Sequence, residues 1–380
     1  METTIKELGE IITGNTPSKK ELAFWDSDDI CFVKPDDIAD EGITLIQDSS
    51  EYLSENARLK ARIVAKDAVF VTCIGSIGKI GIASKGDYAF NQQINAIVTN
   101  DKVLPRYLAY NLLFSKPKLV ATANAPVVPI INKTQFGDFR INIEKSLDKQ
   151  EQIVDTLDKI SGIVGRRKRE LEELDNLIKA RFVEMFGDPL LNLKGLPVKT
   201  VEEVAVLIKA ITYSPEDVAD QGMIVLRSSN IRGNEFDLGD LVKITKRISS
   251  EKYVHENDIL MCNRNGSARL VGKVALIPKL EEDMTFGTFM TIVRSDIYEY
   301  LFAFFQMDAF KEQIKFQTAV AINQISLPLL ASVRVPIPPR EQIEEFSEFK
   351  KQVDKSKFVI QKSLDETQLL FDSLMQQYFA

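Results

Sequence analysis

Two long stretches with the same apolar spacing constrain this chain of 380 residues more than any other feature. The first covers residues 148–186, and the second lies in residues 339–380. In both, apolar side chains recur at steps of three and four, which is typical of a helix that packs along another helix. At about 1.5 Å per residue, the first helix would span roughly 55–60 Å. Gly187 and Pro189 follow it, and both residue types favour the end of a helix.

The apolar positions define a predicted packing seam between the two helices. Five of its slots hold polar residues, namely Arg167, Arg181, Lys350, Lys357 and Thr367. The apolar members of the seam are Ile153, Leu157, Ile160, Val164, Leu171, Leu174, Ile178, Met185, Ile343, Phe346, Val353, Ile360, Leu364, Phe371, Leu374 and Tyr378.

The two stretches also match each other residue by residue. Residues 171–186 align with 364–379, which lie 193 positions later, whereas 151–153 align with 341–343, which lie 190 positions later. The second copy is therefore predicted to carry three extra residues, and such an insertion would locally overwind a coiled coil. Two unrelated amphipathic helices are the alternative, but the shared offset favours an internal duplication.

The duplication extends into the segments that precede the two helices. Residues 30–38 resemble residues 223–231, and residues 78–80 resemble residues 272–274. We therefore predict four parts: a globular domain at 1–147, a central long helix at 148–187, a second globular domain at 188–338 and a C-terminal long helix at 339–380.

Each globular half has the composition of a mixed fold. Residues 64–83 and 257–277 contain β-branched runs broken by glycine, which predicts strands joined by turns. Residues 105–114 and 296–314 are rich in Leu, Tyr and Phe and are predicted to be helical. Because the helical and extended segments do not alternate as strict βαβ units, we predict two repeated domains of the α+β class, separated by two long helices.

Composition places the chain among ordinary globular proteins. Apolar residues make up 44% and charged residues 27% of the sequence, and no apolar run approaches the roughly 18 residues of a membrane span. The first residues lack the layout of a signal peptide. Cys31, Cys73 and Cys262 are isolated and odd in number, so they favour a reducing cytoplasm over a disulfide or zinc framework.

No catalytic pattern is apparent. The one histidine, His255, cannot form a multi-histidine metal site, and we expect it at the surface. Residues 75–79 resemble a phosphate-binding loop, but Cys73 and Ile80 stand where that loop needs Gly and Ser or Thr. An adenine methyltransferase needs an Asn/Asp-Pro-Pro-Tyr/Phe tetrapeptide, and residues 337–340 do not match it. We predict no catalytic residue and no metal site in this chain.

Polar and basic loops are the remaining candidates for function. Arg, Asn, Gln and Ser can hydrogen-bond base edges, and Lys and Arg can hold phosphates. For any single residue a solvated loop is the simpler interpretation, and the net charge of −7 opposes binding of nucleic acid by bulk electrostatics. The candidate DNA-binding residues are Lys19, Lys20, Trp25, Arg58, Lys60, Ser76, Lys79, Asn91, Gln92, Gln93, Arg227, Ser228, Asn230, Arg232, Asn263, Arg264, Asn265, Ser267 and Arg269.

Local motifs at six places support an assignment to a known family, and they lie at residues 8–18, 74–79, 90–93, 150–153, 171–189 and 335–343. Together with the overall layout, these motifs resemble the specificity subunit of type I restriction-modification systems. Their order and duplication are more specific than any one of them. The second half departs from the pattern at 204–209 and at 287–289, as the family implies, because each half reads a different sequence.

The resemblance implies a concrete function. Each globular half would be a target recognition domain that reads one half of a bipartite, asymmetric site on double-stranded DNA. The two long helices would pair as an antiparallel coiled coil and set the distance between the domains. Two methylation subunits would dock on this chain and bring S-adenosylmethionine, and further motor-nuclease subunits would bring ATP and Mg²⁺.

The residues themselves are compatible with this function. A duplicated binding module with a rigid spacer suits two DNA sites separated by about one helical turn, roughly 34 Å. The acidic net charge predicts weak DNA binding by the isolated chain, with methylation subunits supplying much of the phosphate contact. A coiled-coil scaffold for protein interactions without DNA readout is the main alternative, and a self-contained methyltransferase or nuclease is another.

Overall fold

The computed structural model describes residues 1–123, 128–315 and 324–380, and these form two compact units. Unit 1 comprises Met1–Lys168 together with Lys362–Ala380, and unit 2 comprises Arg169–Gln361. Each unit therefore contains one globular half and a segment of each long helix. The domain boundaries expected after residues 147, 187 and 338 differ from this division and stay predictions.

Unit 1 combines two sheets, a strand pair and helices. The strands are β1 (Glu2–Thr4), β2 (Gly9–Thr13), β3 (Ile30–Val33), β4 (Ile43–Ile46), β5 (Glu51–Leu53), β6 (Ile63–Ala65), β7 (Val69–Thr72), β8 (Ile80–Ala83), β9 (Asp87–Phe90), β10 (Ile94–Thr99) and β11 (Arg140–Asn142). The helices are α1 (Pro105–Ala121), α2 (Lys133–Asp138) and the first part of α3 (Leu147–Phe186). One sheet has the strand order β2-β10-β7-β8-β4, the other has the order β5-β3-β9-β6, and β1 pairs with β11.

The central strand of unit 1 illustrates how the layers pack. Successive side chains of a strand point to opposite faces of its sheet. Accordingly, Val69 and Val71 of β7 lie in the core beneath α1, which includes Tyr107. Phe70 faces the other way, into the core shared with the second sheet, and its ring centroid lies 5.3 Å from that of Phe90. The five-stranded sheet is thus covered by a helix on one face and by a sheet on the other.

Unit 2 repeats this arrangement. Its strands are β12 (Val198–Thr200), β13 (Val206–Lys209), β14 (Val218–Ala219), β15 (Met223–Leu226), β16 (Ile231–Arg232), β17 (Glu235–Phe236), β18 (Val242–Ile244), β19 (Ile259–Cys262), β20 (Val274–Leu276), β21 (Met284–Phe286), β22 (Met290–Arg294) and β23 (Arg334–Pro336). Its helices are α4 (Val201–Val204), α5 (Tyr298–Phe305), α6 (Asp308–Lys315) and α7 (Leu327–Ser332), together with the second part of α3 and the first part of α8 (Arg340–Phe379), whose last part belongs to unit 1.

Strand order and direction establish that the two units share one core topology, although the four-stranded sheet of unit 2 has no counterpart of β4 and the second sheet of unit 2 has the order β14-β18-β15-β21. The order β13-β22-β19-β20 matches β2-β10-β7-β8, and the pair β12 and β23 matches β1 and β11. Each unit also has one parallel pair in its second sheet, β3 with β9 in unit 1 and β15 with β21 in unit 2. The predicted α+β class and the internal duplication are confirmed.

The two long helices pack against each other in an antiparallel sense. In unit 1, Leu157 near the start of α3 shares a core with Met375 and Phe379 at the end of α8. In unit 2, Phe182 and Phe186 at the end of α3 share a core with Phe346 near the start of α8. Because the start of one helix meets the end of the other in both units, the predicted antiparallel coiled coil is confirmed.

The buried face of each helix differs from the predicted seam near the helix end. All sixteen predicted apolar seam residues are buried or half-buried, but Phe182, Phe186, Met375 and Phe379, which the prediction omitted, are more deeply buried than their predicted neighbours. Phe182 stacks on Tyr300 with ring centroids 5.1 Å apart, and Phe379 lies 5.2 Å from Tyr107. The reason is that each helix end packs on a globular core as well as on its partner helix.

Both long helices contain 40 residues, although the second copy carries three extra residues relative to the first. The helix starts explain this equality. Helix α3 begins four residues before Glu151, whereas α8 begins one residue before Glu341, directly after Pro339. A proline disfavours the helical conformation of the residue before it, so Pro338 and Pro339 keep Ile337 and Pro338 out of the helix and delay the start of α8.

Candidate nucleic-acid interface

A lysine in each unit holds a short turn in place. Lys79 in unit 1 is buried, and its ammonium group donates to the carbonyl oxygens of Pro35 at 3.2 Å and Ile38 at 3.1 Å. Lys273 in unit 2 donates to the carbonyl of Ser228 and, at 2.8 Å, to that of Ile231. The two lysines occupy equivalent places, so this contact belongs to the duplicated fold.

The turn that each lysine holds comprises Pro35–Asp37 in unit 1 and Ser228–Asn230 in unit 2. The side chain of the third residue of each turn accepts a hydrogen bond from the backbone just before the turn. The carboxylate of Asp37 accepts the backbone N–H of Lys34 at 2.7 Å. In unit 2 the amide oxygen of Asn230 accepts the backbone N–H of Arg227 at 2.8 Å. The amide nitrogen of Asn230 also donates to the carbonyl oxygens of Asp237 and Asp240, at 2.8 and 2.9 Å.

Four of the predicted DNA contacts are consequently directed inward. Lys79, Asn91, Asn230 and Asn263 are all buried, with less than a tenth of each residue exposed. Asn91 uses its amide group to bond Gln93 through both the side chain, at 2.8 Å, and the backbone N–H, at 3.1 Å. Lys79, Asn91 and Asn230 hold the surface loops from beneath through these hydrogen bonds, whereas the buried side-chain oxygen of Asn263 has no partner among the described residues.

The polar surface of unit 1 gathers at one edge of the larger sheet. The loop after β2 brings Thr16 to Gln92, whose side-chain oxygen accepts the Thr16 hydroxyl at 2.8 Å. Asn15 donates to the carbonyl of Lys60 at 2.7 Å. Together with the half-buried Gln93, these residues form what we call the unit 1 patch: Asn15, Thr16, Lys60, Gln92 and Gln93. The predicted DNA contacts did not include Asn15 and Thr16, although both lie within the matching motif at residues 8–18.

Unit 2 presents different side chains at the equivalent edge. The backbone N–H of Asn263 donates to the carbonyl of Phe289 at 2.9 Å, as that of Cys73 donates to the carbonyl of Gln93 at 2.7 Å in unit 1. Phe289 therefore replaces Gln93, and the guanidinium of Arg264 lies 5.1 Å from the centre of the Phe289 ring.

Neighbouring loops complete this edge of unit 2. Asn265 donates to the hydroxyl of Ser228 at 3.3 Å, and the hydroxyl of Thr288 donates to the carbonyl of Ile211 at 3.2 Å. We call this surface the unit 2 patch: Ser228, Arg264, Asn265, Thr288 and Phe289. Arginine and amide side chains can contact base edges, so each patch has suitable chemistry for base readout.

The loop that differs most between the two patches is the one between β7 and β8 in unit 1, which corresponds to the loop between β19 and β20 in unit 2. In unit 1 it carries the exposed Ser76, and in unit 2 it carries Ser267, whose backbone N–H donates to Asn265 at 3.0 Å, and the exposed Arg269. Gly78 and Gly272 end the two loops with positive φ angles of 79° and 85°, which favour glycine. The unit 2 loop is the longer one, and it adds cationic side chains.

Three predicted arginines are neutralised by carboxylates. Arg58 bonds Glu55 at 2.6 Å and Asp87 at 2.7 Å, and these hydrogen bonds raise the pKa of its guanidinium. Arg227 pairs with Asp240 at 2.8 Å, and Arg232 pairs with Asp237 at 2.5 Å. A phosphate would have to compete with these carboxylates.

Lys19 and Trp25 line an acidic cleft that none of the unit 1 patch residues lines. The ammonium of Lys19 sits 3.7 Å from the centre of the Trp25 ring and is also paired with Glu51. Asp26 and Asp28 line the same cleft. The exposed Lys20 follows in sequence. Carboxylates repel phosphate, so this cleft is less suited to DNA than the unit 1 patch.

The residues considered for other chemistry have structural surroundings. His255 is exposed, as predicted, and burial raises the pKa of the Cys73 thiol to about 12. In the parts of the chain that the structure describes, no group of three or more His, Cys, Asp or Glu side chains is arranged to hold a metal ion. Within those same ranges, no helix is both long and apolar enough to cross a membrane.

Comparison with known proteins identifies two copies of one family domain. The family model of the type I restriction modification DNA specificity domain matches residues 1–175 and again residues 194–367. The type I restriction enzyme EcoR124I/EcoR124II specificity subunit of Escherichia coli is 27% identical over 171 residues, which cover 43% of this chain and 41% of that protein. The HindI specificity subunit of Haemophilus influenzae is 35% identical over 109 residues, 28% of this chain and 23% of that protein. These matches thus span less than half the length of each relative.

A solved structure extends the likeness to the whole chain. The S subunit of a type I restriction-modification system from M. genitalium aligns with a TM-score of 0.55, covering 100% of this chain and 96% of that one at 14% identity. At this identity the likeness establishes the fold alone. The two matches to the family model, however, cover most of the sequence. The chain therefore belongs to the type I restriction-modification DNA specificity family.

Proposed function

We propose that this chain selects the DNA target of a type I restriction-modification complex by reading a bipartite site, one half with each unit. One observation carries the proposal: the same sheet edge bears a polar patch in both units, built from different side chains. Gln92 and Gln93 in unit 1 are replaced by Thr288 and Phe289 in unit 2. Conserved topology with divergent side chains at one edge suits two readers of different base sequences.

The patches favour an asymmetric target. Glutamine amides in unit 1 can both donate to and accept from a base edge, and a bidentate contact of this kind suits adenine. In unit 2, Arg264 can donate to guanine, and the exposed ring of Phe289 can contact a thymine methyl group. The two half-sites would therefore differ in sequence.

The long helices would act as the spacer between the half-sites. A helix of 40 residues spans about 60 Å, and pairing of two such helices stiffens the connection. The gap between half-sites would then follow from helix length.

Partner subunits would supply the chemistry. Phe358, Val359 and Leu369 on α8 are 72%, 65% and 70% exposed, and apolar side chains on a helix surface suit a protein partner. We propose that two methylation subunits dock on this chain and contribute S-adenosylmethionine, and that motor-nuclease subunits contribute ATP and Mg²⁺. In this account the chain itself performs no catalysis, and its net charge of −7 leaves much of the phosphate contact to the partners.

Methylation mapping by long-read sequencing tests the proposal. Cells would carry the methylation subunit encoded beside this chain, with and without the chain. We expect a bipartite adenine motif with a fixed gap only when the chain is present. If the methylation subunit is active and bound to the chain, yet no motif depends on the chain, a scaffold for protein interactions becomes the better account.

A further inference from the structure

A basic cleft in unit 2 lies beside the loop that carries Asn265 and Ser267. The cleft has a volume of about 460 Å³, and the buried rings of Phe305 and Phe310 form part of its lining. Its cationic lining comes from three elements: Lys179 of α3, Arg269 and Lys273 of the loop, and Lys311 and Lys315 of α6. Among the described residues that line it, none is an aspartate or a glutamate.

Only part of this positive charge is compensated. Lys311 pairs with Asp308 at 3.0 Å, and Lys315 pairs with Glu312. Lys273 is held by two backbone carbonyls, which orient its ammonium group but carry no net charge. For Lys179 and Arg269, both exposed, no ion pair occurs with any residue that the structure describes. Lys179, Arg269 and Lys273 therefore line the cleft without a carboxylate within ion-pair distance among the described residues, and Lys179 interacts with Asp308 only at longer range.

The duplicated fold does not require this charge. In unit 1 the equivalent lysine, Lys79, pairs with Asp40 at 2.9 Å, and Lys116 donates to the carbonyl of Asp40 at 2.7 Å. Nearby, Glu41 pairs with Lys168 at 3.3 Å. Unit 2 has Asn234 where unit 1 has Glu41, at the 193-residue offset that relates the turns. The position of Glu41 is thus acidic in unit 1 and neutral in unit 2, where the nearby Glu235 is paired with Lys357 and does not line the cleft.

We propose that this cleft binds backbone phosphate of the DNA strand whose bases meet the unit 2 patch. The inference rests on the proposed function and deepens it. Arg269 lies only four residues after Asn265 in one loop, so a strand that meets Asn265 can continue along the cleft. Clustered cations bind phosphate irrespective of base sequence, so the cleft would fix the position of the strand while the patch reads it. Unit 2 would then hold its half-site more strongly than unit 1.

Binding of the assembled complex to its mapped target, measured over a range of salt concentrations, tests the cleft. The double variant Lys179→Ala with Arg269→Ala should weaken binding equally for all sequences, and the slope of log K against log salt should fall by about 1 per lost contact. The matched control is Lys279→Ala, an exposed lysine of unit 2 outside the cleft, and it should leave the slope unchanged. Combining Lys179→Ala with Arg269→Lys instead of Arg269→Ala should restore part of the lost salt slope, because lysine keeps the positive charge at position 269.

The outcomes separate this inference from the proposed function. If the double variant assembles normally but keeps the wild-type affinity and salt slope, the cleft does not bind DNA phosphate. The proposed function would still stand in that case, provided that the wild-type complex binds its mapped motif. A changed base preference would also overturn the phosphate site in the cleft, since phosphate contacts carry no sequence information. Titration with ATP in the absence of DNA compares the wild-type complex with the double variant. If the double variant loses ATP binding while its DNA binding is unaltered, the cleft binds a free nucleotide instead of DNA.

Discussion

At the scale of single residues, Asn230 supports the surface that carries the unit 2 patch. It is fully buried and makes three hydrogen bonds to the backbone, and alanine would leave those groups unpaired. We expect Asn230→Ala to lower the free energy of unfolding by about 2–4 kcal/mol. Ser229→Ala is the matched control, because the buried Ser229 hydroxyl has no partner among the described residues, and its removal should be nearly neutral. Denaturant unfolding monitored by circular dichroism measures both, and equal effects would refute the role assigned to Asn230.

Glu7 gives the chain a pH-dependent contribution to stability. The backbone N–H of Thr4 and the hydroxyl of Thr3 donate to its carboxylate at 2.9 and 2.8 Å, and these bonds lower its pKa from 4.5 to about 2. A carboxyl group with a lowered pKa stabilises the fold above its unfolded-state pKa, and this contribution is lost as the pH falls towards the folded-state pKa. The difference in thermal unfolding midpoint between the wild type and Glu7→Gln should therefore be constant above about pH 4.5 and vanish near pH 2.

The control for this pH dependence is Glu10→Gln. Glu10 is an exposed acid on β2, and its carboxylate accepts no hydrogen bond from the described residues. Thermal unfolding midpoints over the same pH range should show no comparable convergence for Glu10→Gln. If the Glu7→Gln difference persists unchanged to pH 2, the hydrogen bonds at Glu7 do not stabilise its charged form.

At the scale of secondary-structure elements, the ends of the long helices anchor each unit. Phe379 at the end of α8 is buried against Tyr107 in unit 1. Phe379→Ala should cost about 3–5 kcal/mol of unfolding free energy, as expected for removal of a buried aromatic ring. Phe358→Ala on the same helix removes a ring that is 72% exposed, and it should leave the stability of the isolated chain unchanged. If Phe358→Ala instead impairs capture of the methylation subunit, the exposed face is a docking surface.

Helix length offers a test of the spacer. Seven residues inserted into both α3 and α8 would keep the seam in register and lengthen the pair by roughly 10 Å, or about three base pairs. We expect the gap in the methylated motif to grow by that amount, while both half-site sequences persist. An insertion into α3 alone is the control, because it breaks the register and should abolish the motif. An unaltered gap in the double insertion would refute the spacer.

At the scale of the whole molecule, the duplication and the two long helices could be predicted from the sequence because periodic apolar spacing extends over many turns. The order of the strands could not, because most strands have three to six residues and pair across long distances, as Cys31 does with Tyr88. The two patches were predicted in part, because Gln92, Gln93 and Arg264 were among the candidate residues chosen from the sequence. The inward direction of Lys79 was not predictable, because its partner Ile38 lies 41 positions earlier and nothing local identifies that contact.

The central claim is that each unit reads its own half-site, and methylation mapping of patch variants tests it most directly. One complex would carry Gln92→Ala with Gln93→Ala in the unit 1 patch, and another would carry Arg264→Ala with Asn265→Ala in the unit 2 patch. We predict that each pair of substitutions relaxes or changes one half of the methylated motif and leaves the other half and the gap intact. If either pair alters both halves together, or if neither alters the motif while methylation continues, the two units do not read separate half-sites.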